Sequence, residues 1–484
     1  MLTAHGANSK RNPSFNGFFG LANIYIHMEI RKRELDGKFL LASKAALRGH
    51  RVMLGYLHNL LSKDLLTPGI FHDKSLTPRP KKFNLLRKAR AAGHAYTSID
   101  EEHGLLQKDY DIFAGQRYSA ETIDLASAVM FWGAHDHGFI AAKYPEQAHK
   151  LHPTGNPRAD LWRPEMAEVF RQDLAVRRPF ILLSSNLGSI FGQRPIGEIV
   201  AHMREGYFKG AEDETEFNIY KLHAYSTLLG GEYVRALRRL ALTFPDVDFV
   251  LRPHPIENPA TWKSLIGDYK NIIVTNAGSV TPWIRQCTAI IHNGCTTAME
   301  AVMSGIPVLT YTPIVDQNAE FYFPNLLGKR VNDLPSLIES VGQVLTSTSI
   351  ATSSGEDLRV LGERFANADG TLAADRIVDV WDSVAQPQHT SNSFWKQGRL
   401  PFFKAMGDFL DIYRVATPQV LKLLQAKKIP VLPQKFDVWT QAQLDSLQDR
   451  FSRQFPEFRQ LKVTQIAPRI CTFERAQPAS AGAP

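Results

Sequence analysis

The sequence has little cysteine, and its three thiols (Cys287, Cys295 and Cys471) form no CxxC pair. This excludes a disulfide framework. A long apolar run is also missing, because no stretch reaches the ~18 uninterrupted apolar residues that a membrane span needs. The first twenty residues are polar, with no apolar run behind their positive charges, which argues against a secretory signal. We therefore expect a protein of the reducing cytoplasm.

A strong excess of charge of one sign is absent as well. The 56 basic and 48 acidic residues leave a net charge of +8. We find no helix-turn-helix, zinc-finger or aromatic-basic RNA signature, so nucleic acid is not an expected partner. Basic clusters at 31–33, 81–82 and 87–90 suit anionic lipid, an acidic substrate or a solvated face equally. They are compatible with peripheral association with the inner membrane.

The pattern that is present is an alternation of strand-like and helix-like segments over 484 residues. Apolar, β-branched runs alternate with helical spacing along the chain, which is typical of βαβ units and parallel sheets. We predict an α/β fold with two doubly wound Rossmann-like domains that face a cleft. The predicted domains are 1–160 and 175–384, joined by a proline-rich crossover, and a mostly helical extension covers 394–475.

One strand of the second domain, beginning at Asp248, ends abruptly in Arg252-Pro253-His254-Pro255. The two prolines make the turn rigid, so the side chains of Arg252 and His254 are held at the carboxyl end of the strand. A guanidinium and an imidazole at that place suit a phosphate group. The alternative is that His254 merely caps the strand.

The next motif follows about 40 residues later, where a strand ends and a helix begins. Gly294 permits a tight turn, and the hydroxyls of Thr296 and Thr297 stand at the helix start, where free N–H groups favour anions. Glu300, one turn later, could reach a ribose hydroxyl. The alternative is a capping box formed by Thr297 and Glu300.

Three consecutive acids follow a strand of the first domain: Asp100, Glu101 and Glu102, before His103 and Gly104. Adjacent like charges raise one another's pKa, which is how a carboxylate becomes a general base near neutral pH. We favour Glu102 as the base because it is the acid nearest to Gly104. The alternative is an acidic, solvated loop.

These motifs resemble the donor-binding half of GT-B glycosyltransferases that use nucleotide-activated acidic sugars, such as bacterial Kdo transferases and sialyltransferases. CDP-glycerol polymer transferases are also similar here. The resemblance implies that His254 contacts the donor phosphate, that Thr296 and Thr297 hold it, and that the acids before Gly104 carry the base. His103 departs from the acid-glycine pattern. The predicted donor-binding set is Asn186, Arg252, His254, Pro255, Gly294, Thr296, Thr297 and Glu300.

A broader resemblance spans about Ile24 to Leu334. Glu29 at a strand end, the segment 33–38, and the Gly-Asn-Pro-Arg-Ala-Asp crossover at 155–160 look like bacterial surface carbohydrate biosynthesis proteins. Glu34 and Asp36 are candidate acceptor-side acids, and a helix cap is the alternative.

The resemblance implies a cytoplasmic glycosyltransferase of surface polysaccharide biosynthesis. Its donor would be a CMP-activated ulosonic acid such as Kdo or a sialic-like acid, and its acceptor a glycan or lipid-linked glycan. Apart from the nucleotide-sugar substrate, we expect no cofactor and no metal, because the motif side chains can neutralise the departing phosphate. The alternatives are a CDP-polyol phosphotransferase, a UDP-sugar 2-epimerase-like enzyme, or a non-catalytic nucleotide-binding scaffold.

Overall fold

The computed structural model describes residues 21–102, 110–201, 213–346, 355–384, 393–396 and 439–476. Within these ranges 173, 177–178, 193–194, 199, 317–318, 321–322, 369 and 468 are not described. His103 and Gly104, which belong to the predicted acidic motif, lie outside the described residues. So does most of the predicted C-terminal extension.

The first sheet has eight strands: β1 Asn23–His27, β2 Arg51–Gly55, β3 Ile70–Asp73, β4 Ala95–Ile99, β5 Ala128–Met130, β6 Leu151–His152, β13 Leu461–Ala467 and β14 Ile470–Arg475. Their order is β13-β14-β2-β1-β3-β4-β5-β6. The six strands from the N-terminal part pair in parallel, and the C-terminal hairpin adds two antiparallel strands beside β2.

The second sheet has six strands, all parallel: β7 Phe180–Ser184, β8 Asp248–Arg252, β9 Ile272–Val274, β10 Ala289–His292, β11 Val308–Tyr311 and β12 Lys329–Val331. Their order is β12-β11-β10-β7-β8-β9. β1, β7 and β8 are buried along their whole length. Such strands read as near-continuous apolar runs because helices cover both faces of the sheet. The predicted α/β class with two Rossmann-like sheets is confirmed.

The helices connect these strands and cover the sheets. In the first half they are α1 Arg31–Leu47, α2 His58–Ser62, α3 Pro80–Ala91, α4 Tyr110–Arg117, α5 Ala120–Leu125, α6 Ala134–Lys143 and α7 Pro157–Asp160. Next come α8 Gly188–Phe191, α9 Asp213–Thr243, α10 Pro259–Ile266, α11 Thr281–Ile284, α12 Thr297–Met303, α13 Leu334–Thr346, α14 Gly355–Arg364, α15 Ala373–Val384 and α16 Gln441–Ser452. None of the described helices combines the length and the apolarity needed to cross a membrane.

Three elements differ from the prediction. The spacing of apolar residues predicts a first helix over Asp36–Arg48, whereas α1 begins at Arg31. No strand is predicted at Ile70–Asp73, where β3 lies. The described part of the C-terminal extension contains a helix, as predicted, but also the β13–β14 hairpin. The hairpin was missed because its partner is β2, more than 400 positions earlier in the chain, and no local pattern shows that pairing.

The crossover motif connects the two halves of the chain. Asp160 accepts hydrogen bonds from the backbone N–H groups of Ala373 (2.8 Å) and Ala374 (2.9 Å), and so caps α15. Further along α15, Trp381 donates to the Thr97 hydroxyl at 3.1 Å. Helix α15, at the end of the range predicted for the second domain, packs against α1, α7 and β5.

Candidate functional site

Each sheet reverses its winding at one point, and both points carry polar residues. In the first sheet the reversal lies between β1 and β3, and in the second between β7 and β10. Open α/β sheets bind ligands outside the carboxyl ends of their strands at such switch points. The loops after these strands contain Glu29, Lys74, Asn186 and Gly294, so the topology places a candidate ligand site there.

The three predicted acids do not act on one another as a cluster of unpaired negative charges, because each has a different cationic partner. Asp100 forms a two-pronged ion pair with Arg117, at 2.7 and 2.8 Å. Glu101 is buried, 3.5 Å from the ammonium of Lys38 and 3.8 Å from Arg158. Two of the three candidates are therefore occupied by internal ion pairs.

Glu102 has the accessible side chain of the three, with 46% of it exposed, and its Oε1 lies 3.0 Å from Arg33. Burial alone would raise the pKa of Glu102, but Arg33 and then Arg117 and Lys74 lower it below its ordinary value. The expectation that neighbouring acids raise this pKa is therefore wrong. The physical reason is that folding places three cationic side chains, those of Arg33, Arg117 and Lys74, near the Glu102 carboxylate. The order of residues along the chain does not show this.

Glu34 and Asp36 are also engaged. The fully buried Glu34 accepts hydrogen bonds from the N–H groups of Glu29 (3.1 Å) and Ile30 (3.2 Å) and from Lys38 at 2.8 Å. It therefore stabilises the start of α1, as the alternative of a helix cap foresaw. Asp36 forms an ion pair with Arg450 of α16.

The Arg-Pro-His-Pro motif lies at the end of β8, as predicted. Both terminal amino groups of Arg252 donate to backbone carbonyls, of Ala277 (2.7 Å) and Gly278 (2.9 Å), so this side chain braces a loop. His254 is partly exposed and Pro255 is exposed. Burial and then Arg33 lower the pKa of His254, so its imidazole is neutral near pH 7.

The sequence interpretation missed Glu257 in the same turn. Its carboxylate accepts hydrogen bonds from the hydroxyl of Ser185 (2.6 Å), the N–H of Leu187 (2.6 Å) and the indole of Trp262 (2.8 Å). It thereby fixes the loop after β7 against the loop after β8. Its position three residues after His254 was the available signal.

The loop after β10 holds four predicted donor-binding residues. Gly294 has φ +60°, and Asn186 donates to its carbonyl at 2.9 Å, which joins the loops on either side of the switch point. Thr296 is exposed and is the N-cap of α12, but no side chain caps the helix there. The alternative of a Thr297–Glu300 capping box is therefore not formed.

Thr297 and Glu300 keep polar atoms available inside this loop region. The Thr297 hydroxyl and Oε1 of Glu300 are buried without an oxygen or nitrogen partner among the described residues. Burial raises the pKa of Glu300 to about 6, against the opposing effects of Thr281, Arg285 and Arg158.

The two carboxyl edges face each other, because charged groups of one act on groups of the other. Arg33 at the start of α1 lowers the pKa of His254 beyond β8. Arg158 of the crossover acts on Glu300 of α12. Arg33, which pairs with Glu102, therefore lies close enough to His254 to act on its charge, and Arg158 lies close enough to Glu300.

A second polar cluster, His27, His58 and Asp73, lies at the end of β1 and β3, with ligand atoms within 4.8 Å of one another. The residue types and spacing could hold a metal ion, but the hydrogen bonds oppose it. Nδ1 of His27 accepts from the N–H of Leu57 at 3.1 Å, so the ring proton is on Nε2. Asp73 is already paired with Lys82.

No family model matches the chain, and no curated protein matches it. Solved structures with a similar chain path include a putative UDP-N-acetylglucosamine 2-epimerase from Listeria monocytogenes, with a TM-score of 0.45 and 13% identity over 75% of this chain and 96% of that one. The wall teichoic acid polymerase TagF gives a TM-score of 0.45 and 11% identity, over 75% of this chain and 88% of that one.

The UDP-GlcNAc 2-epimerase from Neisseria meningitidis bound to UDP-GlcNAc gives a TM-score of 0.40 and 13% identity, over 74% of this chain and 98% of that one. The TM-scores lie below 0.5 and the identities below 25%. We therefore assign none of these activities to this chain on the basis of the similarity.

Proposed function

We propose that this chain is a glycosyltransferase of surface glycan biosynthesis. It transfers a sugar from a nucleotide-activated donor to a hydroxyl of a glycan or lipid-linked acceptor, and the donor is a CMP-activated ulosonic acid such as Kdo or a sialic-like acid. The observation that carries this proposal is that charged groups beside the first sheet act on the motif residues of the second: Arg33, the partner of Glu102, acts on His254, and Arg158 acts on Glu300.

The second-sheet side suits the nucleotide. The neutral imidazole of His254 can donate a hydrogen bond to a phosphate oxygen, as can the hydroxyls of Thr296 and Thr297. Glu300 has a carboxylate oxygen without a partner among the described residues, and a ribose hydroxyl would satisfy it. Arg252 contributes indirectly, because it fixes the loop at 277–278 while its guanidinium lies over the ring of Trp283 at 5.5 Å.

The chemistry follows from the charges that develop. As the bond between the anomeric carbon and the phosphate oxygen breaks, negative charge builds on the nucleotide phosphate. Hydrogen-bond donors fixed before the reaction stabilise this charge without reorganisation. Arg33, whose charge lowers the pKa of His254, adds positive charge on the acceptor side.

Thermal unfolding in the presence of CMP, CDP, UMP and UDP tests the proposal, because a ligand that binds only the native state raises the apparent stability. We expect the largest shift with CMP, and transfer of labelled sugar from a CMP-ulosonic acid to a glycan acceptor. A preference for UDP would favour the 2-epimerase alternative. No shift with any nucleotide would contradict every enzymatic proposal made here.

A further inference from the structure

The strongest unassigned feature is the pair formed by His58 and Asp73. Nε2 of His58 lies 2.9 Å from Oδ1 of Asp73, and the carboxylate is completely buried. Asp73 also accepts hydrogen bonds from Lys82, from the Tyr96 hydroxyl and from the N–H of Lys74. These contacts hold the carboxylate in one orientation.

The protonation state of Asp73 follows from its surroundings. Burial alone would raise the pKa of Asp73, but His58 and Lys82 hold it well below its ordinary value, so the carboxylate is ionised. An ionised carboxylate only accepts hydrogen bonds, so Nε2 of His58 must donate. In the neutral form of the His58 ring, the lone pair is then on Nδ1.

This lone pair is accessible. The side chain of His58 is 25% exposed, and Nδ1 has no hydrogen-bond partner among the residues described. The ring is held on one face by His27, with ring centroids 3.6 Å apart and planes 13° apart. Burial lowers the pKa of His27 well below its ordinary value, so His27 is neutral.

The pair lies at the switch point of the first sheet and next to the cleft. Asp73 is the last residue of β3, and the following residue, Lys74, forms an ion pair with Glu29. The carbonyl of Lys74 also accepts a hydrogen bond from the N–H of Glu101 at 3.1 Å. The dyad is therefore connected directly to the loop that carries Glu102.

We propose that His58, oriented by Asp73, is the general base that accepts the proton of the acceptor hydroxyl. This inference rests on the proposed function. In the step, the hydroxyl proton passes to Nδ1 of His58 while the oxygen lone pair forms the bond to the anomeric carbon. The bond from that carbon to the phosphate oxygen breaks, and its electron pair leaves with the nucleotide. The imidazolium then releases the proton to solvent.

The proposal accounts for the arrangement of the acids. Each acid already has a cationic partner: Asp100 pairs with Arg117, Glu101 with Lys38, and Glu102 with Arg33. Among the described residues at this edge, His58 combines an accessible lone pair with a buried carboxylate behind it. A carboxylate behind an imidazole fixes its tautomer and stabilises the charged ring that proton transfer creates. Asp73 is then a positioning residue.

The experiment compares His58→Gln with Glu102→Gln in the full chain. For His58→Gln we expect kcat to fall by about 10²–10⁴, with CMP affinity unchanged, because general-base catalysis contributes about that much. Glu102→Gln should retain a turnover at least tenfold higher than His58→Gln. In His58→Ala, added imidazole should restore part of the turnover.

His149→Ala is the matched control, since this exposed histidine lies in the same half of the chain and away from the cleft. Its turnover should not change, and imidazole should not affect it. Full turnover of a folded His58→Gln variant that binds CMP would overturn the inference, and so would a loss in Glu102→Gln alone. If the wild-type chain binds no nucleotide, the proposed function itself fails, and the two outcomes are thus distinct.

Discussion

Arg33 and Glu102 form an ion pair at 3.0 Å between the first turn of α1 and the loop after β4. The same guanidinium acts on His254, which belongs to the other sheet. One cation therefore lowers the pKa of a carboxylate beside the first sheet and, after burial, that of an imidazole beside the second.

This arrangement predicts the effect of Arg33→Met. Arg33 disfavours the charged form of His254 and favours the charged form of Glu102, so removing it should raise both pKa values. An NMR titration of the His254 ring protons measures the first shift. Arg31→Met, which removes a half-buried guanidinium that donates to Gln443, should leave the titration unchanged. An unaltered titration in Arg33→Met would show that the two sheets are not coupled through Arg33.

His254→Ala should weaken donor binding. If the imidazole donates to the phosphate, its loss removes a hydrogen bond to a charged group, worth about 1.5–3 kcal/mol, or roughly tenfold or more in Kd. Calorimetric titration with CMP checks this. Ser264→Ala, at an exposed position of α10 outside the predicted donor-binding set, serves as the control. Equal CMP affinity in a folded His254→Ala variant would refute the phosphate contact.

Gly37→Ala should destabilise the chain. A Cβ at Gly37 would lie 2.9 Å from the backbone nitrogen of Arg158, and that backbone is held by the cap from Asn156 at 2.8 Å. We expect a loss of about 1–3 kcal/mol, typical of overpacking, as a lower Tm by circular dichroism. Gly138→Ala in α6 is the control, because its Cβ meets open space and alanine favours helix by about 0.5–1 kcal/mol.

Glu300 should contribute a pH dependence to stability. Its folded pKa of about 6 lies above the ordinary 4.5, so the native state binds the proton more tightly. Its contribution is complete below pH ~4.5 and is lost as the pH rises through 6, by about 2 kcal/mol in total. Urea unfolding of wild type and Glu300→Gln at pH 4.5 and 6.5 measures it.

The glutamine variant should lose this part of the pH dependence, and Glu363→Gln, on the exposed face of α14, should retain it. The same slope in wild type and Glu300→Gln would show that the Glu300 carboxyl is not desolvated as the structure indicates.

The fold class could be predicted from the sequence because its signals are local. Strands buried on both faces require continuous apolar runs, as at 180–184 and 248–252, and the helices between them follow a 3.6-residue period. The site motifs were found for the same reason, since Arg252–Pro255 and Gly294–Glu300 directly follow strands whose carboxyl ends bind ligands. β3 was missed because only its first two residues, Ile70 and Phe71, are apolar, so it forms no continuous apolar run.

The tertiary structure alone decided which charges meet. The sequence order suggested that Asp100, Glu101 and Glu102 repel one another. In the folded chain each acid instead has its own cationic partner. Asp100 pairs with Arg117, Glu101 with Lys38 and Arg158, and Glu102 with Arg33. Asp36 forms an ion pair with Arg450, 414 positions away in the chain. His58 forms a hydrogen bond with Asp73, which lies in the unpredicted strand β3. Electrostatic energies depend on distances of a few ångströms in space, and such distances between residues far apart in the chain are set by packing and not by local sequence.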